Sequence, residues 1–313
     1  MQADSPPARN GGPAGGQDWT IKKVLDFADS YFRKAGIENP HLEAEILLAH
    51  ALGMKRIDLY LKFENELNQA DLEKFRSYIL RRKSHEPTAY IIGTRQFMSM
   101  EFQVTKDTLI PRPETEILVE LAEQAAEKKN DAVEILDIGT GSGAIAVSVA
   151  KLIPAARVTA IDISAEALAV AENNALKHGV ADRITFEQAD IVPADKNKLF
   201  DLIISNPPYI MTDAISGLAS EVKDFEPRGA LDGGKDGLKY YIEIMKKAPL
   251  ILKDGGCLIL EIDPSITDGI RKLSQEGSIF GVELVKDFAG LDRAAVIRPN
   301  SRREAEAPLP APA

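Results

Sequence analysis

The fold of this chain is decided by residues 133–152, which read VEILDI, GTGSG and AIAVSVAKL in succession. VEILDI is a short, mostly apolar run typical of a buried strand, and the last nine residues form a helical stretch. Between them, Gly139, Gly141 and Gly143 let the backbone pass close beneath a ligand. A strand, a glycine-rich turn and a helix in this order predict an α/β fold, in which ligands bind at the carboxyl ends of the strands.

The glycine turn fits two classes of cofactor. Gly139, Gly141 and Ala144 match the G-x-G-x-x-A fingerprint, so the turn alone does not separate a nicotinamide dinucleotide from S-adenosylmethionine. Asp162 belongs to the end of the next predicted strand, 157–163, at roughly the 20-residue spacing of the fingerprint. Its carboxylate is placed to accept hydrogen bonds from both ribose hydroxyls, which suits either cofactor.

Acids stand at two more strand ends. Asp137 lies two residues before Gly139 and would face the amino group of a methionine moiety. Asp190 and Ile191 follow the predicted strand 184–189, where they offer a carboxylate to an adenine amino group and an apolar surface to its ring. Each acid alone is equally consistent with a helix N-cap or a loop residue.

A further strand-end loop carries the groups that point to the chemistry. Residues 200–204 read FDLII and lead into Ser205, Asn206, Pro207, Pro208 and Tyr209. The side-chain oxygen of Asn206 and the carbonyl of Pro207 can accept both N–H groups of a planar amide or amine, so that its lone pair points at an electrophile. The prolines stiffen the loop, and Tyr209 offers a flat face to the target group. Together with the glycine turn and the three acids, this loop favours methyl transfer to nitrogen.

Two alternative functions stay open on these residues, and a third is disfavoured. An adenine-N6 methyltransferase would share the Asn-Pro-Pro-Tyr loop. It would be expected to carry a separate target-recognition domain and a basic surface run, and neither is recognisable in the sequence. A nicotinamide-dependent oxidoreductase would account for the glycines and Asp162, yet it leaves residues 206–209 unexplained. A non-catalytic donor-binding module would keep the glycines and would not need Asn206.

Several motifs, in this order, resemble those of the bacterial peptide chain release factor N5-glutamine methyltransferases, a family of class I S-adenosylmethionine-dependent enzymes. They are Glu86-Pro87 with AYIIG at 89–93, LIPRPETE at 109–116, LDIGTGSGAIA at 136–146, NPPYI at 206–210, and Glu226-Pro227 with Ala230-Leu231 and DGL at 236–238. The resemblance covers residues 19–299, and the segment 109–116 makes it specific. One departure is that Asp263 follows Glu261-Ile262, with Ile266 where the family usually has glutamine.

The resemblance implies a fold, a site and a partner. The fold is a Rossmann-like class I methyltransferase sheet with an antiparallel edge strand, preceded by a small helical bundle. S-adenosylmethionine is the implied donor, and its expected site consists of Asp137, Gly139, Thr140, Gly141, Ser142, Gly143, Asp162, Asp190, Ile191 and Asn206. The substrate, a glutamine in the Gly-Gly-Gln motif of release factors, is expected to be held by Asn206, Pro207, Pro208 and Tyr209, of which Asn206, Pro207 and Tyr209 are the predicted catalytic residues.

Composition narrows the partners further. The formal charge of −10 argues against broad affinity for nucleic acid. The single cysteine, Cys257, lies in an apolar stretch and is expected in the core, and the four scattered histidines predict no metal site. Neither a secretory signal nor a run long enough to span a bilayer is recognisable. We therefore expect a cytoplasmic enzyme with a protein substrate and with neither a membrane nor a stable nucleic-acid partner.

Proline- and glycine-rich stretches and changes in apolar periodicity predict the domain boundaries. Residues 1–18 and 300–313 are expected to be disordered tails. Residues 19–85 read as a helical, substrate-binding domain, whose last helix should turn Leu72, Phe75, Ile79 and Leu80 inward. Residues 86–112 read as a β-hairpin linker and 113–299 as the methyltransferase domain. Near its end, the short connection between 282–288 and 294–298 requires an antiparallel pair.

Overall fold

A computed structural model describes residues 19–127, 129, 131–275 and 280–299. The chain forms two units. The first comprises the described residues up to Gly93 together with 220–225, and the second comprises Thr94–Ala219 and the described residues from Glu226 onward. The predicted tails, 1–18 and 300–313, lie outside the described residues.

The described residues form eleven α-helices and nine β-strands, and the two kinds of element alternate through most of the second unit. The α-helices, in chain order, are α1 (Ile21–Lys34), α2 (Pro40–Leu52), α3 (Arg56–Leu61), α4 (Gln69–Lys83), α5 (Thr88–Ile92), α6 (Glu116–Ala126), α7 (Ala144–Leu152), α8 (Ala165–His178), α9 (Ser220–Lys223), α10 (Lys239–Ile251) and α11 (Thr267–Gln275). The strands are β1 (Thr94–Phe97), β2 (Met100–Gln103), β3 (Val133–Ile138), β4 (Ala156–Asp162), β5 (Ile184–Gln188), β6 (Phe200–Ser205), β7 (Leu252–Glu261), β8 (Phe280–Lys286) and β9 (Asp292–Pro299).

The first unit is helical and has its own core. Helix α1 begins after Thr20, whose hydroxyl accepts a hydrogen bond from the third helical N–H, a standard cap. Phe32, Phe75 and Ile79 are buried in this core. Leu80 was predicted to face inward, and this is wrong because it is 45% exposed. It lies one residue past Ile79, and one residue turns a helix by about 100°, away from the buried face.

The second unit is built on a seven-stranded sheet with the strand order β5-β4-β3-β6-β7-β9-β8. Strands β3 to β7 pair in parallel, whereas β9 is antiparallel to both β7 and β8. The predicted α/β class and its antiparallel edge are therefore confirmed. Strands β1 and β2 form a separate antiparallel hairpin in the region predicted to be a linker.

Both faces of the sheet are covered. Alternate residues of β3 serve different cores: Ile135 packs in the cluster that includes α6 and α7, and Leu136 packs in the cluster that includes α10 and α11. Successive side chains of a strand point to opposite faces, so a strand covered on both sides reads as an unbroken apolar run. This explains the apolar runs at 133–138 and 200–204. Cys257 is buried in the first of these clusters, as predicted.

The order of the strands positions the site. From β3 the chain continues outward to β4 and β5, and it then returns to β6 on the other side of β3. The carboxyl ends of β3 and β6 are therefore neighbours at a switch point, which is where open α/β sheets bind ligands. Among the described residues, no helix is both long and apolar enough to cross a membrane.

Candidate active site

The glycine turn between β3 and α7 is open on one side and packed on the other. Gly139 and Gly141 have φ values of +70° and +56°, and an added Cβ at either would meet no atom of the described residues within 4 Å. At Gly143, with φ of +78°, a Cβ would lie 3.0 Å from the Cβ of Ala171 in α8. The first two glycines therefore leave room for a ligand, whereas the third allows two helices to pack closely.

Asp162, at the end of β4, ties the turn to the next strand. Its Oδ2 accepts the N–H of Gly141 at 2.8 Å, and its Oδ1 accepts the N–H of Ser164 at 2.9 Å. The backbone N–H groups of Gly139 and Thr140 both donate to the carbonyl of Ile161, at 2.9 Å each. These bonds fix the carboxylate and the glycine turn relative to each other.

One pocket lies where these elements meet. Most of the predicted site residues line it, namely Gly139, Gly141, Asp162, Asp190, Ile191, Asn206, Pro207 and Pro208. The sequence did not indicate several others: Asp107, Thr108, Ile163, Gly229, Tyr240 and Ile244. Tyr240 and Ile244 are four residues apart on α10, so they share one face of that helix. Their spacing is a signal that could have identified them, once α10 was placed against the carboxyl end of the sheet.

Five predicted residues lie outside the pocket wall. Thr140, Ser142 and Gly143 alternate with or follow the glycines that line the pocket, and the carbonyl of Ser142 accepts the side-chain amide of Asn174 at 2.8 Å. Asp137 is 1% exposed; its Oδ2 accepts the Thr140 hydroxyl at 2.7 Å, whereas its Oδ1 has no hydrogen-bond partner among the described residues. Burial raises the pKa of Asp137 to about 7.

Tyr209 is the fifth of these residues. Its ring packs against the apolar cluster that includes α10 and α11 rather than facing the pocket. Burial, and then the negative charges of Glu261 and Asp263, raise the pKa of the Tyr209 phenol to about 12. The side chain is therefore a neutral phenol that anchors its loop in the core.

The Asn-Pro-Pro-Tyr loop (residues 206–209) is held by a second segment, residues 231–237. The N–H of Ile210 donates to the carbonyl of Leu231 at 3.0 Å, and the N–H of Gly233 donates back to Ile210 at 2.8 Å. An added Cβ at Gly233 would lie 2.7 Å from the carbonyl oxygen of Pro208, and one at Gly237 would overlap the carbonyl oxygen of Tyr209. Both glycines allow backbone to lie directly against the loop.

The proline-rich segment 109–116 is tied to the Glu226-Pro227 motif. The carboxylate of Glu226, which is almost fully buried, accepts the Arg112 guanidinium at 2.5 Å and the Ile110 N–H at 3.4 Å. Charge-assisted bonds of this kind are strong when they are shielded from water. Arg112 therefore joins two distant motifs on one side of the pocket.

Asn206 and Glu261 are linked beneath the pocket. The Nδ2 of Asn206 donates to the hydroxyl of Thr115 at 3.2 Å, and this hydroxyl also hydrogen-bonds the carboxylate of Glu261. Glu261 is 1% exposed, and burial raises its pKa to about 7. Ile266, which stands at the atypical glutamine position, packs in the apolar cluster that includes α10 and α11.

No group of acidic, histidine or cysteine side chains suited to a metal ion occurs in the part of the chain that the structure describes. The pocket instead combines a glycine turn, acids at successive strand ends and an asparagine loop. This arrangement can hold a nucleoside-bearing ligand against a planar nitrogen.

Comparisons with known proteins identify the two regions. A family described as the PrmC N-terminal domain matches residues 23–93, and one described as the methyltransferase small domain matches residues 113–221. The catalytic domain of human Mettl16, solved with an RNA hairpin, superposes with a TM-score of 0.51 at 13% identity, over 62% of this chain and 74% of that one. Such a distant likeness shows the fold alone.

Curated relatives match this chain over nearly their whole length. The release factor glutamine methyltransferase of Geobacter sulfurreducens is 41% identical over 275 residues, which cover 88% of this chain and 95% of that protein. The enzyme of the same name from Rhodopirellula baltica is 41% identical over 280 residues, with the same coverage. Identity at this level, spanning the helical region and the sheet alike, places the chain in the family of release factor glutamine methyltransferases.

Proposed function

We propose that this protein transfers the methyl group of S-adenosylmethionine to the side-chain amide nitrogen (N5) of the glutamine in the Gly-Gly-Gln motif of peptide chain release factors. The observation that carries the proposal is that Asn206 and Pro207 share one pocket with Gly139, Gly141 and Asp162. A nitrogen-orienting loop and a donor site thus meet at one point. The names of the curated relatives support glutamine as the acceptor.

S-adenosylmethionine is the methyl donor, and the pocket fits it. Each carboxylate oxygen of Asp162 accepts one backbone N–H and keeps a lone pair for a ribose hydroxyl. Asp190 and Ile191 supply an acceptor for the adenine amino group and an apolar surface for the ring. Because the space over Gly139 and Gly141 is open, the ligand can lie close to the backbone of the turn.

Asp137 contributes charge from behind the pocket wall. It directly precedes Ile138, which lines the pocket, and its buried Oδ1 has no partner among the described residues. A carboxylate in a low-dielectric position attracts a nearby cation more strongly than it would in water. Asp137 therefore favours the ammonium group of the methionine moiety at this end of the site.

The chain's part in the reaction is orientation. Bound S-adenosylmethionine supplies a methyl carbon already activated by its sulfonium. The Oδ1 of Asn206 accepts one N–H of the substrate amide and the carbonyl of Pro207 accepts the other, so that the nitrogen lone pair points at the methyl carbon. Orientation of this kind can lower a barrier by about 7–11 kcal/mol. Because the nitrogen forms its bond to carbon as the carbon–sulfur bond breaks, it can release its extra proton to water afterwards, and no side-chain base is required.

The remaining parts of the chain serve the protein substrate. We assign the helical region 19–85 to gripping the release factor, the hairpin-bearing segment 86–112 to linking it, and 113–299 to catalysis. The enzyme works in the cytoplasm, where release factors act, without a membrane or a stable nucleic-acid partner.

The test is methyl transfer from labelled S-adenosylmethionine to purified, unmethylated release factor, with DNA and RNA of equal mass as competing acceptors. Label should enter the release factor alone. A release factor whose Gly-Gly-Gln glutamine is replaced by alanine should stay unlabelled. Label in adenine with an unmodified release factor would establish an adenine-N6 methyltransferase instead.

A further inference from the structure

We infer that Thr115 is a positioning residue for methyl transfer: its hydroxyl, held by the carboxylate of Glu261, fixes the side-chain amide of Asn206 with Oδ1 turned to the pocket. The inference rests on the proposed function only in taking Asn206 as the residue that orients the acceptor nitrogen. Thr115 itself touches neither substrate nor donor, and it acts through Asn206.

Three elements of the second unit bring these side chains together. Asn206 follows β6, Glu261 ends the neighbouring strand β7, and Thr115 directly precedes α6. Ser205 pairs with Leu260 in the sheet register, so Asn206 and Glu261 come next on adjacent strands. Thr115 is 4% exposed, and its Oγ1 lies 3.2 Å from the Nδ2 of Asn206.

The chemistry of the three groups fixes the direction of both bonds. An ionised carboxylate only accepts hydrogen bonds, and a threonine hydroxyl has a single hydrogen to donate. The Thr115 hydroxyl therefore donates to Glu261, and its oxygen is left as an acceptor. Only the NH2 end of the Asn206 amide can satisfy that acceptor. The Oδ1 end must then face away from Thr115, toward the pocket that Asn206 lines.

The position of Oδ1 is what the proposed reaction requires. If the amide rotated by 180°, its NH2 group would meet the N–H groups of the substrate, and two donors would oppose each other. Among the described residues, none donates a hydrogen bond to Asn206 Oδ1, so this atom is available to the acceptor nitrogen. Thr115 thus selects the productive one of two amide orientations.

Protonation of Glu261 would remove this selection. A carboxylic acid can donate to Thr115, which frees the threonine hydrogen to donate to Asn206 and so permits the rotated amide. Glu261 Oε2 has no hydrogen-bond partner among the described residues, and burial holds the pKa of Glu261 near 7. The charged and titratable groups that interact with it are Arg112, Glu114, Tyr209, Tyr241 and Arg293, and Asp263 acts on the same two tyrosines.

Two substitutions of Thr115 separate the hydroxyl from the methyl group. Thr115→Val keeps the shape of the side chain and removes the hydroxyl, and it should lower kcat by about 10- to 100-fold, because a buried donor loses its partner. The Kd for S-adenosylmethionine should change less than about threefold, since Thr115 is not part of the pocket wall. Thr115→Ser should restore most of the rate. Thr267→Val is the matched control, because the buried Thr267 hydroxyl has no hydrogen-bond partner among the described residues.

A measurement without substrate keeps the inference separable from the proposed function. The side-chain amide 15N resonance of Asn206, assigned by its loss in Asn206→Ala, should shift in the intact protein with a midpoint near pH 7. Glu261→Gln should abolish that shift, along with the loss of kcat on acidification. This resonance reports on the Thr115 contact even if the release factor proves not to be the substrate.

The outcomes that overturn the inference are specific. A wild-type kcat in Thr115→Val, or a Thr115→Ser variant as slow as the valine variant, would show that the hydroxyl plays no part in positioning. An Asn206 amide resonance that does not respond to pH, or that responds equally in Glu261→Gln, would remove Glu261 from the network.

Discussion

Replacing Gly233 by alanine tests whether the placement of the Asn-Pro-Pro-Tyr loop sets the rate of methyl transfer. The added Cβ would lie 2.7 Å from the carbonyl oxygen of Pro208 and 2.8 Å from the Cα of Tyr209. Carbon atoms in favourable contact are about 3.5–4.0 Å apart, so one of the two backbones must move by roughly 1 Å. Both partners are backbone atoms, and neither can swing aside as a flexible side chain would.

A shift of this size should have a large effect on the rate of methyl transfer and a moderate effect on the free energy of unfolding. Misplacement of a reacting group by about 1 Å can cost ~10²-fold in rate, whereas overpacking costs about 1–3 kcal/mol of unfolding free energy. We therefore expect Gly233→Ala to fold, to bind S-adenosylmethionine, and to transfer methyl groups about 10²-fold more slowly. Single-turnover methylation of release factor at saturating donor measures the rate, and urea unfolding measures the stability.

Gly217→Ala is the matched control for this substitution. A Cβ at Gly217 would meet no atom within 4 Å in the part of the chain that the structure describes, and the φ of Gly217 lies outside the left-handed region. Its rate should equal that of the wild type. If Gly233→Ala also transferred at the wild-type rate, the position of the loop would not limit catalysis and the reasoning would be refuted.

Other substitutions probe the donor site, the orienting group and the buried acid. Asp162→Ala should weaken S-adenosylmethionine binding in calorimetry by about 1.5–3 kcal/mol for each charge-assisted bond lost. Asn206→Ala should lower methyl transfer by about 10²-fold or more with little change in donor affinity. The pKa of Asp137 is raised to about 7, so the stability that its protonated form contributes is present in acid and lost as the pH rises from about 4 to 7. Asp137→Asn should remove this loss, which amounts to about 3 kcal/mol between pH 5 and pH 8, when urea unfolding at these two pH values is compared with that of the wild type.

Each of these expectations can fail separately. Undiminished donor affinity in Asp162→Ala, or tight binding of NADP in place of S-adenosylmethionine, would contradict the assigned donor site. A fully active Asn206→Ala enzyme would remove the orienting role. The same change of stability with pH in Asp137→Asn and the wild type would mean that Asp137 keeps an ordinary pKa.

The parts of the site that could be predicted are those fixed by strand ends. Gly139, Asp162 and Asn206 each follow or end an apolar run, and the carboxyl ends of parallel strands gather at one edge of the sheet. The alternation of strands and helices is therefore enough to predict that these three residues lie together. The same alternation also predicted the sheet, and the short connection between 282–288 and 294–298 predicted its antiparallel edge.

The parts that could not be predicted depend on which way a side chain points. Within the glycine turn, Gly141 faces the pocket, whereas Ser142 and Gly143 face α8. Local sequence does not distinguish these neighbours, because their direction follows from how the helix packs after the turn. Tyr209 was expected to face the substrate, yet its ring packs in the core.

Contacts between segments that are distant in the sequence could not be predicted either. The Thr115 and Asn206 side chains meet across 91 residues of chain, and Arg112 meets Glu226 across 114. Hydrogen-bonding residues of this kind have no period or spacing that marks them. The close approach of Gly233 to the Asn-Pro-Pro-Tyr loop also required the fold, since any loop glycine carries the same local signal.

The central claim is that the acceptor is the amide nitrogen of one glutamine. Fragmentation mass spectrometry of peptides from release factor, after incubation with the enzyme and S-adenosylmethionine, measures this most directly. One added methyl group should lie on the side-chain nitrogen of the glutamine in the Gly-Gly-Gln motif, and it should be absent when Asn206→Ala replaces the wild type. A methyl group on another residue, or an unmodified release factor beside N6-methylated adenine, would contradict the account.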